Sequence, residues 1–177
     1  MKIGILGKGG AGKDTVADIL REKGFKCVAF SDGLYEICRN FYGMTVKDRA
    51  LLQDVGAAMR SVDKDVFVNR ALSALGDESN QCITDVRAVN EYMALKANGF
   101  VFVRVLCPLV ERVKRIESRD GIICDSKYID RLENAPIENY LNDYDADFSI
   151  DNSKSIEETT KQVEDMLESI QKSCIGY

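Results

Sequence analysis

Gly7-Lys8-Gly9-Gly10-Ala11-Gly12-Lys13-Asp14-Thr15 follows an apolar run, Ile3 to Leu6, and leads into a helix-like stretch, Asp14 to Glu22. Strand, glycine-rich loop, lysine and helix, in that order, form the setting a phosphate-binding loop requires. Glycines let successive backbone N–H groups curl around phosphate oxygens with no side chain in the way. The helix N-terminus adds unpaired donors and partial positive charge. Gly9, Gly10, Ala11 and Gly12 are therefore expected to cradle the phosphates of a nucleotide such as ATP, and Lys13 to bring a full charge to the outer ones. The usual pattern places Ser or Thr directly after the lysine. Here Asp14 stands there and Thr15 comes one place later, so Thr15 is expected to turn its hydroxyl to phosphate or Mg²⁺. The plainer alternative is a glycine-rich turn that only joins strand to helix, and the flanking elements favour the phosphate reading.

A chain of 177 residues fits one domain, expected over 1–177, with a core that needs no staples. It is 45% hydrophobic and 30% charged, the balance of an ordinary soluble protein. A net charge of −5 and a pI near 4.9 argue against broad nucleic-acid binding. Small nucleotides are still acceptable ligands, because local arginines overcome a mildly acidic surface. Cys27, Cys38, Cys82, Cys107, Cys124 and Cys174 form no Cys-x-x-Cys pair, which suits reduced, buried thiols in a cytoplasmic protein. The absence of histidine excludes a His-based triad and disfavours a zinc site. No apolar run approaches membrane-spanning length, and Met1-Lys2 leads directly into a strand rather than a signal peptide. No nucleic-acid or membrane partner is expected; a homodimer is allowed.

Apolar and polar periodicity outlines the other elements. Strands are expected at Lys26–Phe30, Gln81–Asp85, Phe100–Leu106 and Asp147–Asp151, the third of these nearly all apolar and so buried on both faces. Helices are expected at Leu34–Tyr42, with Ser31 or Asp32 as cap and Gly43 as stop, at Asp48–Arg60, at Asp63–Leu75, from about Asn90 to Ala97, and at Leu109–Arg119. A last helix runs from Ser155 to Ile170, with Ser155 and Glu158 in capping-box spacing. Asp120 to Tyr144 is polar and takes no assignment. Strands alternating with helices predict an α/β domain, a five-stranded parallel sheet with helices on both faces. In such sheets ligands bind at the carboxyl ends of the strands. Those ends carry the glycine-rich loop, Ser31-Asp32, Asp85-Val86-Arg87 and the Cys107-Pro108 corner.

Phosphoryl transfer rests on positioning and charge stabilisation, hence on Mg²⁺, lysine and arginine. Arg60 ends a predicted helix, and Arg87 lies just beyond a strand. Arg112, Arg115 and Arg119 share one helical face, which reads either as a mobile lid over phosphates or as a solvated basic stripe. Asp85 closes a strand, either as the acid that holds Mg²⁺ through water or as the cap of a turn. Asp32 either positions a substrate or takes a proton, or it is a plain helix cap. An alcohol acceptor benefits from a base. A phosphate monoester does not, since its second pKa is about 6 and it is mostly dianionic at neutral pH. Arginines without an evident base lean toward a nucleoside monophosphate acceptor. Asp32 keeps open a dephospho-coenzyme A kinase-like hydroxyl kinase, and the alternative from another class is a nucleotide-binding regulatory module that does not catalyse transfer.

The chain resembles the phage-type deoxynucleoside monophosphate kinases of the P-loop kinase superfamily. The motifs that carry the resemblance are Gly-Lys-Asp-Thr-Val-Ala-Asp (12–18), Leu-Leu-Gln-Asp-Val-Gly (51–56) leading to Arg60, Asp-Val-Phe-Val (65–68), Ile-Thr-Asp-Val-Arg (83–87) with Asn90-Glu91, and Ala-Asp-Phe-Ser-Ile-Asp-Asn (146–152). The resemblance implies a P-loop kinase fold, ATP as donor, a deoxynucleoside monophosphate as acceptor, and Mg²⁺ at Thr15 and Asp85. It also implies a helical acceptor-binding region at about 32–75 and a lid at about 109–130. Asp32, Arg60 and Arg87 would face the acceptor, with Asn152, Ser153 and Lys154 near the donor's adenine. Lys13, Arg87, Arg112 and Arg115 would be catalytic. Phe67 stands where this family is expected to carry a larger aromatic.

Overall fold

The central strand β1 (Lys2–Leu6) shows why this sequence makes a sheet covered on both sides. Ile3 and Ile5 point to one face and Leu6 to the other, all three fully buried. Burial of such a side chain stabilises the fold by about 1.5–3 kcal/mol. Gly4 belongs on the same face as Leu6: a Cβ there would fall 2.9 Å from the ring of Phe102 on the next strand. The computed structural model describes residues 1–134 and 143–175.

With β2 (Lys26–Val28), β3 (Gln81–Ile83), β4 (Val101–Leu106) and β5 (Phe148–Asp151), β1 forms an all-parallel sheet in the order β2-β3-β1-β4-β5. On one face, α1 (Lys13–Glu22) and the last helix, α8 (Ile156–Ile175), place Val16, Leu20, Val163, Met166 and Ile170 over Ile3, Ile5, Val103 and Ile150. On the other face, α2 (Asp32–Tyr42), α3 (Arg49–Val62), α4 (Val66–Leu75) and α5 (Val89–Ala97) bring Leu34, Val55, Phe67, Leu75 and Leu95 against Leu6, Ile83 and Phe102. Beyond β4, α6 (Leu109–Asp120) and α7 (Ser126–Asn134) pack on each other through a small cluster of Ile116, Cys124 and Leu132. The α/β architecture agrees with the sequence reading.

The structure departs from the sequence reading at several points for a visible reason. Strand β2 stops at Val28 because carboxylates take the N–H groups that a longer ladder would use. Ala29 donates to Asp32 (2.8 Å), and Phe30 and Ser31 donate to Asp85 (2.7 and 3.1 Å). Helix α3 runs on to Val62, and α4 begins only at Val66, because the Asp63 carboxylate accepts from the Asp65 amide (2.9 Å) and turns the chain. Strand β4 is not buried throughout: Arg104 is half-buried and Leu106 is 46% exposed at the carboxyl edge. Helix α7 lies inside the stretch that takes no assignment from the sequence, and its apolar signal is weak beside so many charges. Asp125 accepts from the Tyr128 amide (2.7 Å), and Tyr128, Ile129 and Leu132 share one apolar face. Residues 135–142 of that stretch lie outside the described residues.

The five cysteines with described side chains are all free thiols. Among the described residues no helix is long and apolar enough to cross a membrane. The glycine-rich loop leaves β1 between its two neighbours, β3 and β4, which the chain reaches in opposite lateral directions. This is the switch point at which open parallel sheets bind ligands.

Candidate functional site

The loop from Gly7 to Gly12 is held from behind as well as shaped by its glycines. Gly10 and Gly12 adopt φ of 78° and 88°, which favour glycine. Each also runs close to a neighbour. A Cβ on Gly10 would lie 2.9 Å from the Arg112 carbonyl, and one on Gly12 would lie 1.9 Å from Nδ2 of Asn152. Lys13 opens α1 and folds back over the loop, its Nζ donating to the carbonyls of Gly7 (2.7 Å) and Lys8 (3.3 Å). A bound phosphate would compete with these carbonyls for the ammonium. Asp14 is exposed and Thr15 half-buried in the first turn. The Thr15 hydroxyl makes no hydrogen bond with a described residue.

Asn152 sits beneath this loop at 4% exposure. Its amide donates to the Ala11 carbonyl and accepts from the Thr159 hydroxyl, both at 2.9 Å. Its side chain is thereby committed to bracing the loop. Ser153 and Lys154 follow at the surface, Lys154 beside Glu158 at 3.3 Å.

The three arginines of α6 do different things. Arg112, 3% exposed, pairs with Glu133 of α7 and donates to the Gly9 carbonyl (3.2 Å). Arg115 donates to the carbonyls of Ala11 (3.4 Å) and Asn152 (2.7 Å) and meets no carboxylate among the described residues. Arg119 is exposed and pairs with its neighbour Asp120 at 2.7 Å. Arg112 and Arg115 thus rest against the glycine-rich loop, whereas Arg119 belongs to the solvated face. Sequence reasoning missed Glu133, Lys8 and Arg104. Glu133 lies 3.4 Å from Lys8, and all three residues line a cavity of about 210 Å³ between the loop, the end of β4, α6 and α7. The only sequence signal for Glu133 was the face of α7, which did not predict its long-range partners.

On the other side of the loop, Asp85 links two strand ends. Its carboxylate accepts from the amides of Phe30 and Ser31 and from the Ser31 hydroxyl (2.7 Å), all neutral donors. Asp32 is exposed and turned back onto the Ala29 amide. Glu91 is buried, its carboxylate accepting from the amides of Arg87 and Ala88, both at 2.9 Å. Burial pushes its carboxyl upward against those bonds; the nearby Asp85 charge raises it further and that of Arg60 lowers it. Asp85 and Arg60 are thus both within electrostatic reach of Glu91. The guanidinium of Arg60 lies 4.8 Å from the centre of the Phe67 ring. Arg87 is half-buried, and its carbonyl accepts from the Tyr144 hydroxyl (3.1 Å). Neither Arg60 nor Arg87 has an ion pair with a described residue, in contrast to Arg21, Arg70, Arg112 and Arg119.

The sequence pattern of the family described as "AAA domain" matches residues 3–133. No curated protein sequence matches the chain. Solved structures with a similar fold include shikimate kinase from Acinetobacter baumannii in complex with shikimate, 18% identical with a TM-score of 0.65, covering 98% of this chain and 94% of its own. TT1252 from Thermus thermophilus is 23% identical with a TM-score of 0.61, covering 99% and 98%. A gluconokinase from Sinorhizobium meliloti 1021 is 13% identical with a TM-score of 0.60, covering 98% and 94%. At these identities the likeness is one of fold.

Proposed function

The chain belongs to the AAA domain family, and from that footing we propose that it transfers the outer phosphate of ATP to a deoxynucleoside monophosphate. The observation that carries this reading is the distribution of compensated and uncompensated charge. Arg60, Arg87 and Arg115 make no ion pair with a carboxylate among the described residues; Arg87 lies just beyond the carboxyl end of β3, and Arg115 bonds to the glycine-rich loop. Guanidinium groups left without a carboxylate beside a glycine-rich phosphate loop are ready for phosphate oxygens.

In this reading the amides of residues 9–13 and the charge of Lys13 hold the donor's phosphates, with Arg115 across the loop and Ser153 and Lys154 toward the adenine. Helices α2 to α4, about residues 32–75, receive the acceptor, and about 109–130 form the lid. Arg60 and Arg87 grip the acceptor's phosphate in line with the donor. Its dianionic oxygen forms the new bond to phosphorus as the bond to the bridging oxygen breaks and ADP leaves. No proton has to be removed, which suits an Asp32 tied to the Ala29 amide. Among the described residues the Thr15 hydroxyl has no hydrogen-bond partner and the Asp85 carboxylate is bonded only by neutral donors, and both fit a hydrated Mg²⁺. That ion would neutralise charge on the bridging oxygens.

A second reading has a small hydroxyl acceptor, as in a dephospho-coenzyme A kinase, with Asp32 as base. It draws support from the exposed position of Asp32 and from fold neighbours named for gluconate and shikimate. Steady-state kinetics separate the two. Arg60→Ala and Arg87→Ala should each raise the acceptor KM about ten- to a hundredfold, the equivalent of a charge-assisted bond of about 1.5–3 kcal/mol. The ATP KM should move far less, and Asp32→Asn should cost little. A loss of kcat by about 10²–10⁴ in Asp32→Asn, the size of general-base loss, with unchanged acceptor KM in both arginine variants, would favour the hydroxyl acceptor instead.

A further inference from the structure

Cys27 and Cys82 stand directly opposite each other in the parallel ladder of β2 and β3. Both side chains lie on the face covered by α1 and α8. Neighbouring strands run about 4.8 Å apart. That spacing falls within the Cα separation of about 4.4–6.8 Å that a disulfide tolerates. Cys82 is fully buried and Cys27 half-buried, the Cys27 sulfur lying 3.6 Å from the Ala17 carbonyl and 3.8 Å from that of Phe25.

Their environments differ in the way that attacking and resolving sulfurs require. The Cys82 thiol beside it holds the Cys27 thiol below its ordinary value, with Arg21 adding to the effect and burial and Asp18 opposing it. The neighbouring Cys27, together with burial, pushes the Cys82 thiol well up. Burial likewise pushes up Cys107 and Cys124. A reachable sulfur with thiolate character reacts with oxidants, and a thiol in contact with it captures the product.

We propose that Cys27 and Cys82 form an oxidant-reactive dithiol that a hydroperoxide converts to a disulfide between β2 and β3. The Cys27 thiolate takes the terminal oxygen of the hydroperoxide as the O–O bond breaks, and becomes a sulfenic acid. Cys82 then displaces that oxygen as water and forms the S–S bond. Two thiols and one hydrogen peroxide thus give one disulfide and two waters. β2 is a three-residue strand at the sheet edge, free to adjust toward β3. Three positions further along the two strands lie Phe30 and Asp85, which already hydrogen-bond across the same gap. The disulfide therefore ties together the two strands whose ends lead to Asp32 and Asp85.

The test exposes the reduced full-length protein to limiting hydrogen peroxide and follows it by intact mass and peptide mapping. The expected product has lost two hydrogens, joins the peptides of Cys27 and Cys82, and reverts with dithiothreitol. Its formation should outrun oxidation of Cys38, Cys107 and Cys124 by about tenfold. In Cys82→Ala, dimedone should instead label Cys27 as the sulfenic acid; in Cys27→Ser it should not label Cys82. Parent protein whose first oxidised cysteine is another one, or whose Cys27 and Cys82 peptides stay unlinked, would overturn the proposal, and that map decides even if a variant fails to fold.

Discussion

Lys13→Ala is expected to lower kcat/KM by about 10³-fold or more, while the fold persists. Removal of a single preorganised donor to developing charge costs about 10²–10³ in rate, and here a full charge is lost together with the donor. The ammonium donates to the loop carbonyls of Gly7 at 2.7 Å and Lys8 at 3.3 Å, which holds it over the place where outer phosphates would sit. Alanine has the best helix propensity, so α1 should start as before. A melting temperature within a few degrees of the parent, with turnover nearly abolished, is the expected pair of results. Near-normal turnover at saturating ATP in a folded variant would remove the glycine-rich loop from the mechanism.

The second large effect belongs to Arg115. Arg115→Ala should reduce kcat by about a hundredfold and change the ATP KM much less, because a guanidinium aimed at developing charge acts most strongly in the transition state. The structure ranks Arg115 above Arg112. The charge of Arg112 is already met by Glu133, whereas Arg115 bonds only to neutral carbonyls. Its bonds to Ala11 and Asn152 also tie the loop to the end of β5, so a loosened loop is the competing explanation for a loss of activity. Arg115→Lys tells the two apart. It keeps the charge without the planar fork, and should recover part of kcat without restoring both carbonyl bonds. If kcat were unchanged in Arg115→Ala, α6 would return to the status of a basic surface helix.

The sheet and most helices were legible because their signal is local. Ile3, Ile5 and Leu6 alternate across β1, and Asp48 and Gly43 cap and stop helices in ways that neighbouring residues alone decide. The glycine-rich loop was legible for the same reason. The partners of the charged residues were not. Nothing in the periodicity near Asp85 says that it will seize the amides of Phe30 and Ser31, some 55 residues earlier in the chain. The resemblance puts Asn152 near the donor's adenine, and nothing local says that its amide braces Ala11 across 141 positions. Glu133 fell in a polar stretch whose helical face rests on three apolar side chains, too weak a pattern beside so many charges. Long-range pairing of polar groups is settled by tertiary packing, and local propensity carries no record of it.

The most direct measurement of the central claim is ADP release from ATP and Mg²⁺ in the presence of each deoxynucleoside monophosphate, of dephospho-coenzyme A and of small hydroxyl acceptors, with the products identified by mass. The account predicts that at least one deoxynucleoside monophosphate raises ADP release well above the acceptor-free rate and emerges as its diphosphate. ADP release stimulated only by a hydroxyl acceptor, with every deoxynucleoside monophosphate inert, would contradict it.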